Sequence, residues 1–356
     1  MSATKVLTID SHGPCFEAVS AAGEAIRQGG LVIIPTETVY GIAANMNNPE
    51  ALKRLNTIKQ RPPDKPYPML LADIFRVDEH AQEISPAAYR LMYTFWPGPL
   101  TLIFKAKKVT QGSTIGIRIP DHDIAARIVR QAQVPVVCPS ANVSGRPAPI
   151  NFADALRDLD GLVDLALDAG PTSVGKESSV VDTTVVPVRV MREGAIAASD
   201  LQTIAFKKRV LMVCTGNSCR SVMAEWLLRK KLQDKARVDI EVTSGGTMML
   251  EGLNASSETL ALLKQEGIDA SQHHSKRLTR AMVLMSDVIL VMERVHEEYV
   301  KRMAPEIKNR VFLLKEFAKI EDNNLTIADP IGRSPEVYAD TFAAIKQAIE
   351  RVVEIL

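Results

Sequence analysis

The chain has 356 residues, of which 46% are hydrophobic and 24% charged, with a formal net charge of +1 at pH 7. This length favours two domains, and no apolar run is long enough to span a bilayer. Four cysteines without zinc-ligand spacing exclude a disulfide scaffold and a zinc finger, and no secretory leader pattern opens the chain, so we expect a cytoplasmic protein without a bound metal.

Charge is spread evenly along the chain. Residues 1–205 contain 20 Lys and Arg against 21 Asp and Glu, and the rest contain 23 against 21. Tight nucleic-acid binders usually carry a strongly basic balance, because they neutralise phosphates. We therefore expect weak or no direct binding to tRNA.

The first half begins with a helical pattern over residues 16–28, which Gly29-Gly30 ends, and continues with an apolar strand over residues 31–34. The loops that follow its predicted strands carry hydroxyls, one lysine and several arginines, which are groups that suit phosphate oxygens. The pattern therefore predicts a twisted α/β domain with an anionic ligand, and a polyphosphate nucleotide is the candidate. The usual nucleotide cradles, a Walker loop or a Gly-x-Gly-x-x-Gly motif, are absent from the sequence.

An ordered set of motifs makes this prediction more specific. The set comprises Pro35-Thr36-Glu37-Thr38-Val39-Tyr40-Gly41, Lys59-Gln60-Arg61-Pro62, Ile117-Arg118-Ile119-Pro120, Cys138-Pro139-Ser140-Ala141-Asn142, Glu177-Ser178-Ser179 and Met191-Arg192-Glu193-Gly194. From about residue 12 to residue 200 it resembles the YrdC-type family of threonylcarbamoyl-AMP synthases. The resemblance implies a YrdC-like α/β domain that joins L-threonine, bicarbonate and ATP, releases diphosphate, and serves the pathway to threonylcarbamoyladenosine in tRNA.

The same resemblance implies which residues bind the substrates. Threonine would be held by Thr36, Arg118, backbone near Cys138, and Ser178. ATP would be held by Lys59, Arg61, Thr114, Ser140, Asn142 and Arg192. The family's reaction further implies Mg²⁺ with the ATP and tRNA-modification proteins as partners. Ser179 stands where the family usually has threonine, and it keeps a hydroxyl.

The boundary between the two halves falls near residue 207. Ser199-Asp200 can cap a short helical turn, and Lys207-Lys208-Arg209 leads into the next apolar strand. We therefore divide the chain into domains of residues 1–206 and 207–356.

The second half alternates strands and helices. Strands are predicted over residues 209–213, 240–244, 288–292 and 311–314, and helices over residues 222–232, 257–265 and 337–353. This alternation predicts an open parallel α/β sheet flanked by helices.

The octet Cys214-Thr215-Gly216-Asn217-Ser218-Cys219-Arg220-Ser221 links the first of these strands to the first helix. Its small residues leave backbone N–H groups free to surround an anion, and the helix N-terminus adds positive potential. Cys214, at the start of the loop, is expected to ionise to a nucleophilic thiolate. Arg220 can bind two oxygens of an oxyanion in fork geometry. These features predict cleavage of a phosphate ester or phosphoramidate through a phosphocysteine.

The octet resembles the phosphate-binding loop of the low-molecular-weight protein tyrosine phosphatase family, and Asp329-Pro330 stands where that family has its Asp-Pro pair. The resemblance covers about residues 208–356. It implies three catalytic residues, Cys214, Arg220 and Asp329, with Asp329 acting first as acid and then as base. It also implies a phosphorylated protein substrate, no cofactor, and a phosphate loop that includes Thr215, Gly216, Asn217, Ser218, Cys219 and Ser221.

Two details bear on the phosphatase substrate. Ser218 occupies a position that is usually bulky and aliphatic in tyrosine-specific members, whereas members that resemble protein-arginine phosphatases have a small hydroxyl residue there. Asp329-Pro330 is followed by Ile331-Gly332-Arg333 rather than by aromatic residues that would flank a tyrosine ring. Both details favour phosphoarginine over phosphotyrosine, and the two substrates stay open. An arsenate reductase is excluded because no cysteine follows Cys219.

We therefore expect a bifunctional enzyme, a nucleotidyltransferase joined to a protein phosphatase. The alternative is a working phosphatase whose first half is only an RNA-binding or regulatory module. The near-neutral charge of that half opposes this alternative, as do its retained ligand residues, which include Lys59, Arg118 and Arg192.

Overall fold

A computed structural model describes residues 3–9, 15–61, 66–108, 113–249 and 251–356, so Pro62 of the second motif lies outside the described residues. The contacts between Cα atoms divide the chain into two compact units, Met1–Ala205 and Phe206–Leu356. Within the part that the structure describes, no helix is both long enough and apolar enough to cross a membrane.

The first unit is built from short strands and six helices among its described residues. The strands are β1 (Lys5–Thr8), β2 (Val32–Ile34), β3 (Gly41–Asn45), β4 (Met69–Leu70), β5 (Ala81–Gln82), β6 (Leu100–Ala106), β7 (Thr114–Arg118), β8 (Val136–Val137), β9 (Leu165–Asp168), β10 (Ser179–Asp182) and β11 (Arg189–Arg192). The helices are α1 (Phe16–Arg27), α2 (Pro49–Lys59), α3 (Pro86–Phe95), α4 (Asp123–Ala132), α5 (Phe152–Leu159) and α6 (Ala198–Phe206), with a 3₁₀ helix at Ile74–Glu79.

These strands form one mixed sheet in the order β1-β9-β2-β3-β8-β4-β7-β6-β10-β11, with β5 paired to β6. Pairing is parallel between β1 and β9 and between β6 and β10, and antiparallel between β2 and β3 and between β6 and β7. The expected twisted α/β architecture is therefore confirmed.

Both faces of this sheet are covered, which explains the unbroken apolar run at β2. Leu31 and Ile33 pack in one buried cluster together with residues of α2 and α5. Val32 and Ile34 belong to a second cluster together with residues of α1 and α4. Because successive side chains of a strand point to opposite faces, a strand covered on both sides needs apolar residues at every position.

Helix α2 brings Lys59 to the site described below. The side chain of Asn48 caps the helix by accepting a hydrogen bond from the Ala51 backbone N–H at 3.0 Å, and Pro49 occupies the first helical turn. Gln60 ends the helix in the left-handed region, with φ of 46°. The helix therefore ends directly after Lys59, and the chain changes direction before Arg61.

The second unit contains β12 (Lys208–Cys214), β13 (Ile240–Gly246), β14 (Val288–Val291) and β15 (Val311–Leu313). Its helices are α7 (Arg220–Asp234), α8 (Ser257–Gln265), α9 (Arg280–Met285), α10 (Arg294–Met303), α11 (Leu314–Phe317) and α12 (Pro335–Ile355), with a 3₁₀ helix at Pro305–Arg310. The strand order is β13-β12-β14-β15, and every pairing is parallel. The predicted open parallel sheet is therefore confirmed.

The loop that carries the octet lies at the carboxyl end of β12, which is a central strand of this sheet. Ligands of open α/β sheets bind at that edge. Helix α7 begins at Arg220 and not at Val222 as predicted, because the last residues of the octet already form its first turn. The arginine is thereby fixed by the helix rather than by a flexible loop.

Candidate active sites

A cavity of about 320 Å³ lies in the first unit. Its wall brings together nine of the ten residues that the first resemblance implied: Thr36, Lys59, Arg61, Arg118, Cys138, Ser140, Asn142, Ser178 and Arg192. The lining contains five cationic side chains, with Arg146 as the fifth, and one carboxylate, that of Glu177. This excess of positive charge suits a polyanionic ligand.

Thr114 is the exception. It is the first residue of β7, whereas Arg118 is the last residue of that strand and lines the cavity. The four residue steps from Thr114 to Arg118 along the strand span about 13 Å. Thr114 is therefore not brought to the cavity in this structure.

Lys59 is held by oxygen atoms of the protein. Its side chain is 5% exposed, and its Nζ donates to the carbonyl of Asn142 at 2.7 Å, to Asn142 Oδ1 at 2.9 Å and to the carbonyl of Ser140 at 2.9 Å. Burial, together with the nearby charge of Arg61, lowers the pKa of Lys59 to about 8. The ammonium thus ties the loop of residues 140–142 to helix α2.

Arg118 forms a buried ion pair with Glu37. Its Nη2 lies 2.7 Å from Glu37 Oε1, and the two side chains are 9% and 5% exposed. Its Nε donates to the carbonyl of Gly98 at 3.3 Å. Because these contacts hold the guanidinium on the side of Glu37, its remaining donor edge can face a ligand in the cavity.

Arg192 and Ser178 form another part of the wall. Arg192 donates from Nη2 to the carbonyl of Ser178 at 2.8 Å and pairs with Glu177 at 2.7 Å. The hydroxyl of Ser178 lies 2.9 Å from that of Thr101, which also lines the cavity. A Cβ on Gly194 would lie 2.2 Å from the carbonyl oxygen of Glu177, so only glycine allows this close approach.

Two further residues of the wall are Thr36, whose hydroxyl is hydrogen-bonded within the protein, and Cys138, whose thiol is neutral. The Thr36 hydroxyl donates to the carbonyl of Val39 at 2.6 Å, within its own turn. Burial raises the pKa of Cys138 to about 12, so it stays a neutral thiol at physiological pH. Among the described residues of the whole chain, no group of three or more His, Cys, Asp or Glu residues is arranged to hold a metal ion.

The lowered pKa of Lys59 gives a prediction about pH. The ammonium is charged below about pH 8 and becomes neutral above it, so the affinity of the cavity for an anion should fall as pH rises from 7 to 9. With ATP as the probe, we expect a loss of up to about tenfold per pH unit above 8.

Titration calorimetry at a series of pH values measures this effect. Lys59→Arg is the matched control, because a guanidinium stays charged over the whole range. If the wild-type affinity for ATP stays constant up to pH 9.5, as it should in Lys59→Arg, then deprotonation of Lys59 does not control ATP binding.

In the second unit, Asn217 shapes the loop of the octet. It is fully buried, has a φ of 52°, and donates from Nδ2 to Ser221 Oγ at 3.0 Å and to Ser244 Oγ at 2.7 Å. Its Oδ1 accepts from the backbone N–H of Lys276 at 2.8 Å, and its carbonyl lies 2.9 Å from His273 Nε2. These contacts hold a left-handed turn, a conformation in which successive backbone N–H groups can bind an anion.

Cys214 is the last residue of β12 and is 3% exposed. Its Sγ lies 3.0 Å from the hydroxyl of Ser221, so the two side chains are within hydrogen-bond distance. A Cβ on Gly246 of the neighbouring strand would come within 2.8 Å of the Thr215 carbonyl oxygen. The absence of a side chain at Gly246 therefore lets the loop fold back over β13.

Arg220 is 1% exposed and is surrounded by acceptors on both of its terminal nitrogens. Nη1 lies 2.9 Å from the Ile327 carbonyl and 2.8 Å from Glu293 Oε2. Nη2 pairs with Asp329 and lies 3.3 Å from Thr215 Oγ1. The structure thus brings together the arginine and the aspartate that the sequence predicted as catalytic, and Asp329 occupies the position that an oxyanion would need.

Ser218 and Ile331 are the residues that bear on the substrate. The Ser218 hydroxyl lies 3.7 Å from Cys219 Sγ, and the side chain is half-buried. Ile331, two residues after Asp329, is 60% exposed. The loop thus carries a small half-buried hydroxyl at residue 218, and an exposed aliphatic side chain follows Asp329 two residues later.

The sequence analysis missed several residues of both sites. They are Glu37, Thr101, Arg146 and Glu177 in the first unit and Glu225, Ser244, Glu293 and His296 in the second. Glu37 and Glu177 stand inside motifs that pointed to the site, so adjacency was their signal. No signal in the sequence marks Glu293 and His296 as site residues, because only the packing of β14 and α10 brings them to the loop.

Comparison with known protein families assigns each unit separately. Residues 24–194 match the Sua5, YciO and YrdC family model, described as telomere recombination. Residues 209–356 match the model described as low molecular weight phosphotyrosine protein phosphatase.

Curated relatives agree with these matches. A putative threonylcarbamoyl-AMP synthase of Mycobacterium tuberculosis is 33% identical over 192 residues, which cover 52% of this chain and 88% of the relative. A protein-arginine-phosphatase of Geobacillus stearothermophilus is 36% identical over 148 residues, which cover 42% of this chain and 95% of the relative. The chain spans only 49–66% of the length of further curated synthases that it matches, which come from Pyrococcus abyssi, Bacillus subtilis and Schizosaccharomyces pombe.

A solved structure of Pyrococcus abyssi Sua5 complexed with L-threonine is similar in fold, with a TM-score of 0.54 at 21% identity, and the match covers 98% of each chain. At this identity the likeness concerns the fold alone. Both resemblances found in the sequence are confirmed by the family models and the curated relatives.

Proposed function

Residues 24–194 belong to the Sua5/YciO/YrdC family and residues 209–356 to the low molecular weight phosphotyrosine protein phosphatase family, and from this premise we propose a bifunctional enzyme. The first unit would form threonylcarbamoyl-AMP from L-threonine, bicarbonate and ATP. The second would dephosphorylate a protein through a phosphocysteine. The observation that carries the proposal is that the first unit gathers nine of its ten candidate residues around one cavity, and that the second pairs Arg220 with Asp329 next to Thr215 of the loop.

The proposed synthase reaction consists of positioning and charge neutralisation. Arg118 would hold the threonine carboxylate, and Arg61 with Arg192 would hold the ATP phosphates. Lys59, whose three N–H groups donate to Ser140 and Asn142, would assist ATP binding through its positive charge. The threonine amine would attack the bicarbonate carbon, and water would leave as the C–N bond of the carbamate forms. An oxygen of this carbamate would then attack the α-phosphorus, and diphosphate would leave with the electron pair of the broken P–O bond. The near-neutral charge of residues 1–205 favours a small-molecule product that other proteins pass on to tRNA over direct tRNA binding.

Magnesium does not fit this site as a resident metal. The described cavity wall is cationic and offers one carboxylate, Glu177, which is paired with Arg192. Mg²⁺ prefers several oxygen ligands and keeps much of its water. It would therefore arrive bound to the ATP phosphates.

The first test is the dependence of diphosphate release on its substrates. We expect release only when ATP, threonine and bicarbonate are all present. Arg118→Ala should raise KM for threonine by about 10–200-fold and leave KM for ATP nearly unchanged, since a charged hydrogen bond contributes about 1.5–3 kcal/mol. Full-rate diphosphate release without threonine would refute the synthase assignment.

The proposed phosphatase reaction has two steps. The Cys214 thiolate would attack phosphorus while Asp329 protonates the departing oxygen or nitrogen, which leaves with the electron pair of its bond to phosphorus. Asp329, now a carboxylate, would take a proton from water as the water attacks the phosphocysteine and releases inorganic phosphate. Such a thiolate needs a reducing compartment, so we place the enzyme in the cytoplasm.

The second test addresses the nucleophile. Cys214→Ser should abolish hydrolysis of p-nitrophenyl phosphate, because a serine hydroxyl is a far weaker nucleophile than a thiolate. Diphosphate release in the same protein should stay at the wild-type rate, because the cavity residues belong to the first unit. Normal hydrolysis by Cys214→Ser would exclude a phosphocysteine.

For the substrate we propose phosphoarginine, with phosphotyrosine as the second candidate. The proposal is supported by the half-buried Ser218 hydroxyl in the loop and by the exposed aliphatic Ile331 beyond Asp329. A hydroxyl can accept a hydrogen bond from a guanidinium N–H, whereas a tyrosine ring gains about 0.5–1.5 kcal/mol from an aromatic neighbour. The relative from Geobacillus stearothermophilus, a protein-arginine-phosphatase, also favours this substrate.

The third test is therefore selectivity. The wild-type chain should cleave phosphoarginine peptides with a higher kcat/KM than phosphotyrosine peptides. Ser218→Ile should reverse the order with a swing of about 10–200-fold, because it fills the space next to the guanidinium and gives a ring something to pack against. Ser218→Thr, the matched control, should keep the preference for phosphoarginine. If the wild-type chain prefers phosphotyrosine peptides and Ser218→Ile does not change this preference, the domain is a tyrosine phosphatase.

The RNA-binding or regulatory alternative for the first unit lacks comparable support. The cavity is lined by five cationic side chains and one carboxylate, which suits a polyanionic small molecule such as ATP better than a purely structural role. The cavity therefore favours an active synthase.

A further inference from the structure

The side chain of His296 connects the first turn of α10 to the loop of the octet. Its Nδ1 lies 3.2 Å from the backbone nitrogen of Glu293. A backbone N–H can only donate, so Nδ1 must be the acceptor and the ring proton of a neutral imidazole must sit on Nε2. Nε2 lies 2.9 Å from Thr215 Oγ1 and therefore donates to it.

Thr215 Oγ1 receives a second hydrogen bond from Arg220 Nη2 at 3.3 Å. A hydroxyl oxygen has two lone pairs and one proton. Both lone pairs are used here, so the Thr215 proton has to be donated. Among the residues that the structure describes, none accepts it, and Thr215 is only half-buried, so this proton is available to a ligand.

The position of Arg220 Nη2 indicates what that ligand is. Nη1 is held by Ile327 and Glu293, whereas Nη2 is paired with Asp329, whose carboxylate has to leave if it is to protonate a leaving group. An oxyanion that replaces Asp329 at Nη2 comes to lie beside the Thr215 hydroxyl.

We propose that Thr215 donates its hydroxyl proton to an oxygen of the bound phosphoryl group, and that His296 is the positioning residue that orients this hydroxyl. The inference rests on the proposed phosphatase function and adds one donor to the site. Burial, reinforced by the charge of Arg220 and opposed by Glu293 and Asp329, lowers the pKa of His296 to about 4. The ring therefore stays neutral, with its proton on Nε2, throughout the neutral pH range.

A purely structural role for His296 has to be separated from this one, because His296 also caps α10 through Nδ1. His296→Asn makes that separation. The asparagine oxygen can stand where Nδ1 stands and accept the Glu293 N–H, whereas its amide nitrogen is too short to reach Thr215. Thr215→Val removes the hydroxyl at nearly constant shape, and Thr215→Ser is the conservative variant that restores it.

The experiment measures the affinity of the intact chain for inorganic phosphate by calorimetry and kcat/KM for p-nitrophenyl phosphate. We expect Thr215→Val to weaken phosphate binding by about tenfold and to lower kcat/KM by at least as much, and Thr215→Ser to recover most of both. His296→Asn should show the Thr215→Val losses with an unchanged Tm. The double variant should be no worse than Thr215→Val, because both substitutions remove the same donor.

The inference would be overturned if Thr215→Val bound phosphate as tightly as the wild type. It would also be overturned if the double variant of Thr215 and His296 lost affinity by the product of the two single losses. If His296→Asn melts early, the pair Thr215→Val and Thr215→Ser still decides the role of the hydroxyl. A wild-type chain that binds phosphate but hydrolyses no phosphate ester would refute the proposed phosphatase, whereas a weaker phosphate affinity in Thr215→Val would still support the donor.

Discussion

A cation buried in a protein must be paired, and both sites of this chain are built on that constraint. Lys59 is satisfied by oxygens of Ser140 and Asn142, and Arg220 by Glu293, Asp329 and the Ile327 carbonyl. Leaving such a charge without a partner costs several kcal/mol, so the surrounding loops are held in place by the charge itself. The loops of each site are therefore held in position by their contacts with the buried cation of that site.

The same constraint shapes how a ligand enters. An anion reaching Arg220 has to replace a carboxylate that is already there, and Asp329 is the one that can leave, because Glu293 shares Nη1 with a fixed carbonyl. Binding of the phosphoryl group and release of the acid are then one event. In the first unit Glu37 holds one side of Arg118, so the guanidinium is oriented before any substrate arrives. Preorganised charge of this kind lowers the reorganisation that a reaction requires.

Local sequence was sufficient for the parts of both sites that lie on single motifs. The run from Val210 to Ser221 encodes a strand, a loop and a helix start in adjacent residues, and the two flanking strands followed from their apolar periodicity. Long-range partners could not be found in this way, because Glu293 and His296 reach the loop only through strand order and helix packing. Thr114 begins β7 and Arg118 ends it, so the role of Thr114 with ATP stays a prediction.

The most direct test of this account is titration calorimetry of the intact chain with ATP and, separately, with inorganic phosphate. If each site depends on its own buried cation, Lys59→Ala should lose ATP binding and keep phosphate binding, whereas Arg220→Ala should lose phosphate binding and keep ATP binding. Wild-type affinities for both ligands in both variants would contradict the central role of these cations. Loss of both ligands together in either variant would contradict it as well.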